Sequence, residues 1–165
     1  MKLRSIAISL ALAATVPAGA SAQTPAGPPK PDLSPMAFFV GSWSCSVTDS
    51  PNPKRVGMLS KAGVVLDPGG FWLQQTTEHG TSFITWDAKK KLWAFIGVGA
   101  AGYGVGTSPG WTGDTLVVSD AYNSGDEPLG STTFKRVGDT AFNVTYTVPG
   151  PAPLSETQAC TKPAS

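Results

Sequence analysis

From residue 40 the pattern of apolar and polar residues takes a period of two. In the first such stretch Trp43, Cys45 and Val47 fall on one face, and three serines fall on the other. A period of two is typical of a β-strand with one buried face. Before this strand, Ser34-Pro35 resembles a helix N-cap followed by proline, which predicts a single helical turn that ends at Phe39.

Nine more segments of the same kind follow, bounded by turn signals such as Asp67-Pro68-Gly69-Gly70. They are residues 56–66, 71–77, 81–86, 92–98, 103–107, 115–122, 130–137, 141–148 and 154–161. About ten short strands at spacings of roughly 8–12 residues, with no longer helix, predict an all-β domain that is either an antiparallel barrel or a sandwich. We predict a tight loop at residues 108–114, between the segments 103–107 and 115–122.

The first 22 residues have a different pattern. Lys2 and Arg4 precede an apolar run, and Ala20-Ser21-Ala22 supplies a small-x-small cleavage motif. This order predicts a signal peptide over residues 1–22 and a periplasmic or secreted protein. The apolar run is shorter than the about 20 residues that span a bilayer, and no cysteine near the cleavage motif indicates a lipid anchor.

Composition narrows the classes of partner. Without Lys2 and Arg4, ten basic and eleven acidic residues remain, a net charge of −1. This balance gives no electrostatic reason to expect nucleic acid or an anionic membrane as a partner.

The five prolines within residues 23–35 predict a flexible segment. Residues 36–162 are then predicted to form one domain, and a monomer is favoured.

The chain has two cysteines, Cys45 and Cys160, which lie 115 positions apart. In the oxidising compartment that export implies, we expect them to form a disulfide. The bond requires the first and last strands to be neighbours, which favours a closed barrel. A sandwich with a bridge between its two sheets satisfies the same constraint and stays open as an alternative.

Three motifs occur in order: Phe39-Val40-Gly41-Ser42-Trp43-x-Cys45, Gly69-Gly70-x-Trp72-Leu73 and Ser108-Pro109-Gly110-Trp111-x-Gly113-Asp114-x-Leu116. A helical turn leading into Gly41-x-Trp43 resembles the opening of lipocalin-like (calycin) barrels. The three motifs together resemble secreted bacterial DUF1579-type proteins of unknown function, which are distantly related to nitrobindin-like barrels. The resemblance implies an up-and-down antiparallel β-barrel of about ten strands with an interior cavity at residues 36–162.

Aromatic side chains are the candidate ligand-binding residues. In a ten-stranded barrel some of them point inward, where they fill a core or line a pocket for a small hydrophobic or aromatic ligand. The residues expected to bind this ligand are Trp43, Trp72, Phe83, Trp93, Phe95 and Tyr103. Two other classes remain open: an isomerase-like or cyclase-like enzyme with ionisable groups of shifted pKa inside the barrel, and a protein-interaction module with an exposed apolar patch.

No cofactor or metal is expected. Gly97-Val98-Gly99-Ala100-Ala101-Gly102 matches the dinucleotide motif G-x-G-x-x-G, but the glycine-rich residues that follow cannot start a helix. These glycines instead indicate sharp coiling of a strand or the close approach of a ligand. The sole histidine, His79, is predicted in an exposed loop, and residues 141–165 lack the histidine that the haem-binding relatives use.

Overall fold

The computed structural model describes residues 27, 29–100, 102–125 and 128–163. The predicted signal peptide, residues 1–22, lies outside the described residues, together with residues 23–26 and 28 of the proline-rich segment. Among the described residues, no helix combines the length and the apolar character that crossing a membrane requires.

Short strands account for most of the described chain. The two 3-10 helices are Ser34–Phe39 and Pro53–Arg55, and the strands are β1 (Gly41–Asp49), β2 (Leu59–Leu66), β3 (Leu73–Thr77), β4 (Gly80–Asp87), β5 (Leu92–Gly99), β6 (Gly102–Ser108), β7 (Trp111–Thr112), β8 (Thr115–Asn123), β9 (Ser131–Gly138), β10 (Ala141–Val148) and β11 (Leu154–Thr161).

The strands form one antiparallel sheet that closes on itself. Ten of them follow one another in the order β6-β5-β4-β3-β2-β1-β11-β10-β9-β8, and β6 pairs with β8 to complete the ring. β7 has two residues and pairs with β8 alone. This closed, ten-stranded antiparallel β-barrel confirms the predicted fold class, and closure removes the exposed edges that an open sheet presents.

The first and last strands lie side by side in the ring. Cys45 of β1 is the direct partner of Cys160 of β11 in the strand register, and the two form a disulfide. The predicted pairing is therefore confirmed, and it occurs in a barrel and not in a sandwich. Disulfides persist in oxidising compartments, so the bond is consistent with export.

The helix Ser34–Phe39 closes one end of the barrel. Met36 and Phe39 are buried, and Nε1 of Trp43 donates a 2.7 Å hydrogen bond to the carbonyl oxygen of Phe39. The Trp43 ring packs edge-on against Phe142, with 4.7 Å between the ring centroids. We call this group the plug; its members are Leu33, Met36, Phe38, Phe39, Trp43, Trp111 and Phe142.

Two cationic side chains cover the plug. The guanidinium carbon of Arg136 lies 3.9 Å from the ring centroid of Trp111 and 4.5 Å from that of Phe38. Nζ of Lys162 lies 4.8 Å from the ring centroid of Trp43. Because the face of an aromatic ring attracts cations, these contacts favour the positions of both cations over the plug, and no acidic side chain of the described residues forms an ion pair with either of them.

Several local details differ from the sequence prediction; β2, for example, is predicted from residue 56 and begins at Leu59. Residues 108–114 predict a loop, whereas Trp111–Thr112 forms β7 because Gly113, at a φ of 58°, turns the chain back so that Trp111 pairs with Leu116. Strand is predicted from residue 71, whereas β3 begins at Leu73. There the turn is longer, since the N–H of Asp67 bonds to the carbonyl of Trp72 and Gly70 adopts a φ of 74°.

Candidate ligand-binding cavity

A cavity of about 580 Å³ lies inside the barrel, between the plug and the opposite end. Its lining reaches His79, whose side chain is 83% exposed, so the cavity opens to solvent there. We call this opening, at the β3–β4 turn that holds His79, the mouth. The volume lies within the range of pockets that hold small molecules, roughly 300–1,000 Å³.

The floor of the cavity, next to the plug, is apolar. Phe39, Trp43 and Phe142 reach it from the plug, and the Cys45–Cys160 disulfide lies beside them. The remaining apolar side chains of the floor come from β2, β4, β5, β8, β9 and β10, and are Val64, Ile84, Phe95, Val118, Phe134 and Val144.

Towards the mouth, the inward-facing residues become polar. On each strand the apolar residue lies nearer the floor and the polar residue nearer the mouth. These pairs are Ile84 and Ser82 on β4, Val118 and Asp120 on β8, and Phe134 and Thr132 on β9. Four further strands, β2, β3, β10 and β11, also place polar residues nearer the mouth; these are Ser60, Gln75, Thr77, Tyr146 and Gln158. The cavity is therefore amphipathic along its axis, with an apolar floor and a mouth rich in hydrogen-bonding groups.

One wall of the cavity carries glycines instead of side chains. In the pairing of β5 with β6, Gly97 lies opposite Gly104, Gly99 opposite Gly102, and Phe95 opposite Gly106. Strand alternation places these glycines on the same inward face as Phe95. We call the five residues Gly97, Gly99, Gly102, Gly104 and Gly106 the glycine wall; of these, Gly97, Gly104 and Gly106 line the cavity.

Only some of these glycines are required by the atoms around them or by their backbone conformation. A Cβ on Gly106 would lie 2.6 Å from Cγ1 of Val118, and one on Gly99 2.7 Å from the carbonyl oxygen of His79. Gly102 has a φ of 117°, which side chains rarely allow. A Cβ on Gly97 or Gly104, in contrast, would meet its nearest atom at 3.6 or 3.5 Å, which is ordinary contact. Gly97 and Gly104 therefore leave open space that the fold itself does not need.

An ion pair fixes the segment that links β1 to β2 beside β11. The Arg55 guanidinium donates two hydrogen bonds to the Glu156 carboxylate, the longer of them 2.9 Å, and Ser50 donates a third. The hydrogen bond from Arg55 holds the pKa of Glu156 below its ordinary value. Because a lowered pKa stabilises the folded state above the unfolded pKa of about 4.3, this contribution is present at neutral pH and is lost as the pH falls through the folded pKa.

We expect Glu156→Gln to loosen residues 50–58. The amide keeps the shape of the side chain but loses the charge, and since the Arg55 side chain is 47% exposed, the pair stabilises the segment only modestly. Hydrogen exchange of residues 50–58, followed by mass spectrometry, should become about two- to fivefold faster. The β4–β5 turn at residues 88–91 serves as the internal control. Equal exchange of residues 50–58 in both proteins would show that the ion pair does not hold them.

The structure brings two of the six predicted ligand-binding residues to the cavity. Trp43 and Phe95 both line its floor. Trp93 is buried below the cavity, where its ring lies 5.5 Å from that of Trp86. Ligand binding by these side chains stays a prediction.

The other three predicted residues lie away from the cavity. Trp72 and Phe83 pack against each other, with 6.2 Å between ring centroids, and Trp72 is 38% exposed. Tyr103 is half exposed and lies against Tyr122, where a hydrogen bond between the two hydroxyls raises the pKa of Tyr122. Period-two alternation identifies two faces of a strand but not which one faces inward, and this accounts for the three positions.

The polar residues of the cavity were missed by sequence reasoning, although a signal for them exists. Asp120 follows the buried residues Leu116 and Val118 at intervals of two, so it shares their inward face.

Among residues 27, 29–100, 102–125 and 128–163, no group of three or more His, Cys, Asp and Glu side chains is arranged to hold a metal ion.

Comparison with known proteins adds no family to this picture. No protein-family model matches the chain, and no curated protein matches it either. The candidate site is therefore defined by the geometry of the barrel.

Proposed function

We propose that this chain is an exported lipocalin-like protein that binds a small molecule in the barrel interior, with the apolar or aromatic body of the ligand on the floor and its polar end at the mouth. Export rests on the predicted signal peptide and agrees with the disulfide. The more specific proposal, that the chain is related to DUF1579-type proteins, rests on the three sequence motifs that begin at Phe39, Gly69 and Ser108.

The axial change from apolar to polar lining carries this proposal. An apolar ligand body that enters the floor loses contact with water and gains dispersion contacts with side chains such as Phe95, Val118 and Phe134. A ligand that is apolar throughout would desolvate Gln75, Thr132 and Gln158 without replacing their hydrogen bonds. The lining therefore favours a ligand with one polar end over a pure hydrocarbon.

Filling the cavity from the glycine wall tests the proposal. Gly97→Leu and Gly104→Leu each place a side chain in the cavity, at positions where a Cβ meets only ordinary contacts. N-phenyl-1-naphthylamine, a neutral dye that brightens in apolar surroundings, serves as the probe. We expect saturable binding to the wild type and a roughly tenfold or greater loss of affinity in each variant, while the thermal midpoint is unchanged or slightly raised because glycine weakens strand interiors.

Gly63→Leu is the matched control. Gly63 lies on the outer face of β2, opposite Ser42 and Thr76, and a Cβ there meets nothing within 4 Å. This variant should bind the dye like the wild type. Dye binding that survives both inner substitutions, or no saturable binding to the wild type, would contradict the proposal. Native mass spectrometry of protein purified from its own source then identifies the retained ligand by mass.

A further inference from the structure

Among the described residues that line the cavity, Asp120 is the acidic one. Its Oδ2 atom accepts a 2.9 Å hydrogen bond from the N–H of Gly130, and its own N–H donates a 3.0 Å hydrogen bond to the Gly130 carbonyl. A bulge in the pairing of β8 with β6 interrupts the register immediately after Asp120. Bulges aim side chains, so this carboxylate is held at a defined place in the lining by the backbone on both sides.

The second carboxylate oxygen of Asp120 borders the glycine wall. Oδ1 lies 3.8 Å from the position that a Cβ would take on Gly106. Among the described residues, none donates a hydrogen bond to this oxygen. A flat molecule that lies against the bare wall therefore meets a carboxylate oxygen with free acceptor capacity at its edge.

Lys61 and His79, the basic residues of the lining, are exposed, and the pair Arg55 and Glu156 lies outside the lining. Arg55 and Glu156 pair with each other, and His79 lies 3.4 Å from Glu78 in solvent. Lys61 contributes to the lining, but strand alternation places its side chain on the outer face of β2, opposite Ser44, where the residue is exposed. Within the described part of the chain, no cationic side chain forms an ion pair with Asp120.

We infer that the ligand is an organic cation with a flat ring system, which lies against the glycine wall and donates a hydrogen bond from a protonated nitrogen to Oδ1 of Asp120. The inference rests on the proposed function. A ligand that fills the cavity removes water from this half-buried carboxylate. A cation replaces the lost hydration with a charge-assisted hydrogen bond, whereas a carboxylate ligand adds repulsion between like charges.

Three probes with the same ring test this inference: 2-naphthylmethylamine, which is protonated at pH 7, 2-naphthylmethanol and 2-naphthoate. Each competes with N-phenyl-1-naphthylamine for the wild-type protein at low ionic strength. We expect the amine to bind on the order of tenfold or more tightly than the alcohol, and the carboxylate to bind most weakly, because hydrogen bonds to charged groups are the stronger ones.

The variant Asp120→Asn removes the negative charge of the side chain but keeps the oxygen that contacts the backbone of Gly130. Its side-chain oxygen still accepts the hydrogen bond from Gly130, so the barrel should keep its thermal midpoint, while the preference for the amine over the alcohol should disappear. Asp139→Asn removes the same charge from the exposed β9–β10 turn and should keep the preference. Equal affinities of the three probes, or an amine preference that survives Asp120→Asn, would overturn the inference and leave the cavity proposal standing. A wild type that binds neither the dye nor any probe would overturn both.

Discussion

Trp43→Ala is expected to lower the free energy of unfolding by about 3–5 kcal/mol, the range for removing a buried large aromatic side chain. Trp43 is 3% exposed and contacts the rings of Phe38 and Phe142. Its loss also leaves the Phe39 carbonyl without the indole donor and removes the nearer of the two rings that Lys162 covers. The plug and the first strand would then lose their common anchor. Chemical denaturation, followed by circular dichroism, measures the effect.

Two further substitutions decide whether the position or the residue type matters. Trp43→Phe keeps a ring against Phe142 but removes the indole N–H, so we expect an intermediate loss of about 1–3 kcal/mol. Trp72→Ala removes a tryptophan that is 38% exposed, and its effect should be much smaller. Similar losses for Trp43→Ala and Trp72→Ala would contradict the assignment of Trp43 to the plug.

Loss of the disulfide should be the other large effect. The bond closes a loop over a sequence separation of 115 residues. In the chain-entropy model a loop of about this length contributes about 4–5 kcal/mol, as an upper value, by restricting the unfolded chain. For the double variant Cys45→Ala/Cys160→Ala we therefore expect a fall of the thermal midpoint on the order of 10–20 °C.

Reducing agent provides the control for this experiment. It should lower the midpoint of the wild type towards that of the double variant and leave the double variant unchanged. The alanines also remove two buried sulfur atoms, so the reduced wild type, which keeps them, isolates the effect of the cross-link itself. A midpoint that reducing agent does not alter in the wild type would show that the cross-link adds no stability.

Sequence reasoning succeeded where local pattern decides the structure. The face shared by Trp43, Cys45 and Val47 is buried, as predicted. A strand has only two faces, and since the serines occupy one of them, the apolar face is the one that turns to the core. The pairing of the two cysteines followed from their number and the expected compartment. The requirement that the first and last strands meet then favoured a barrel and left a sandwich as the alternative.

The cavity could not be predicted in the same way. Phe83 and Phe95 lie on consecutive strands of similar composition, yet only Phe95 faces inward, and the register that decides this is a property of the closed sheet. Glycines at 97 and 104 look the same in the sequence as the glycine at 106. Only the three-dimensional surroundings show that one is a steric necessity and the other two leave space.

The inward orientation of the disulfide has a consequence for its chemistry. Cys45 and Cys160 are 8% and 1% exposed, and both lie on the floor of the cavity. A small thiol that attacks the bond in the folded protein would therefore approach through the mouth, along the path proposed for a ligand. Occupancy would then protect the cross-link kinetically, and the rate of its reduction becomes an internal reporter of whether the barrel is full or empty.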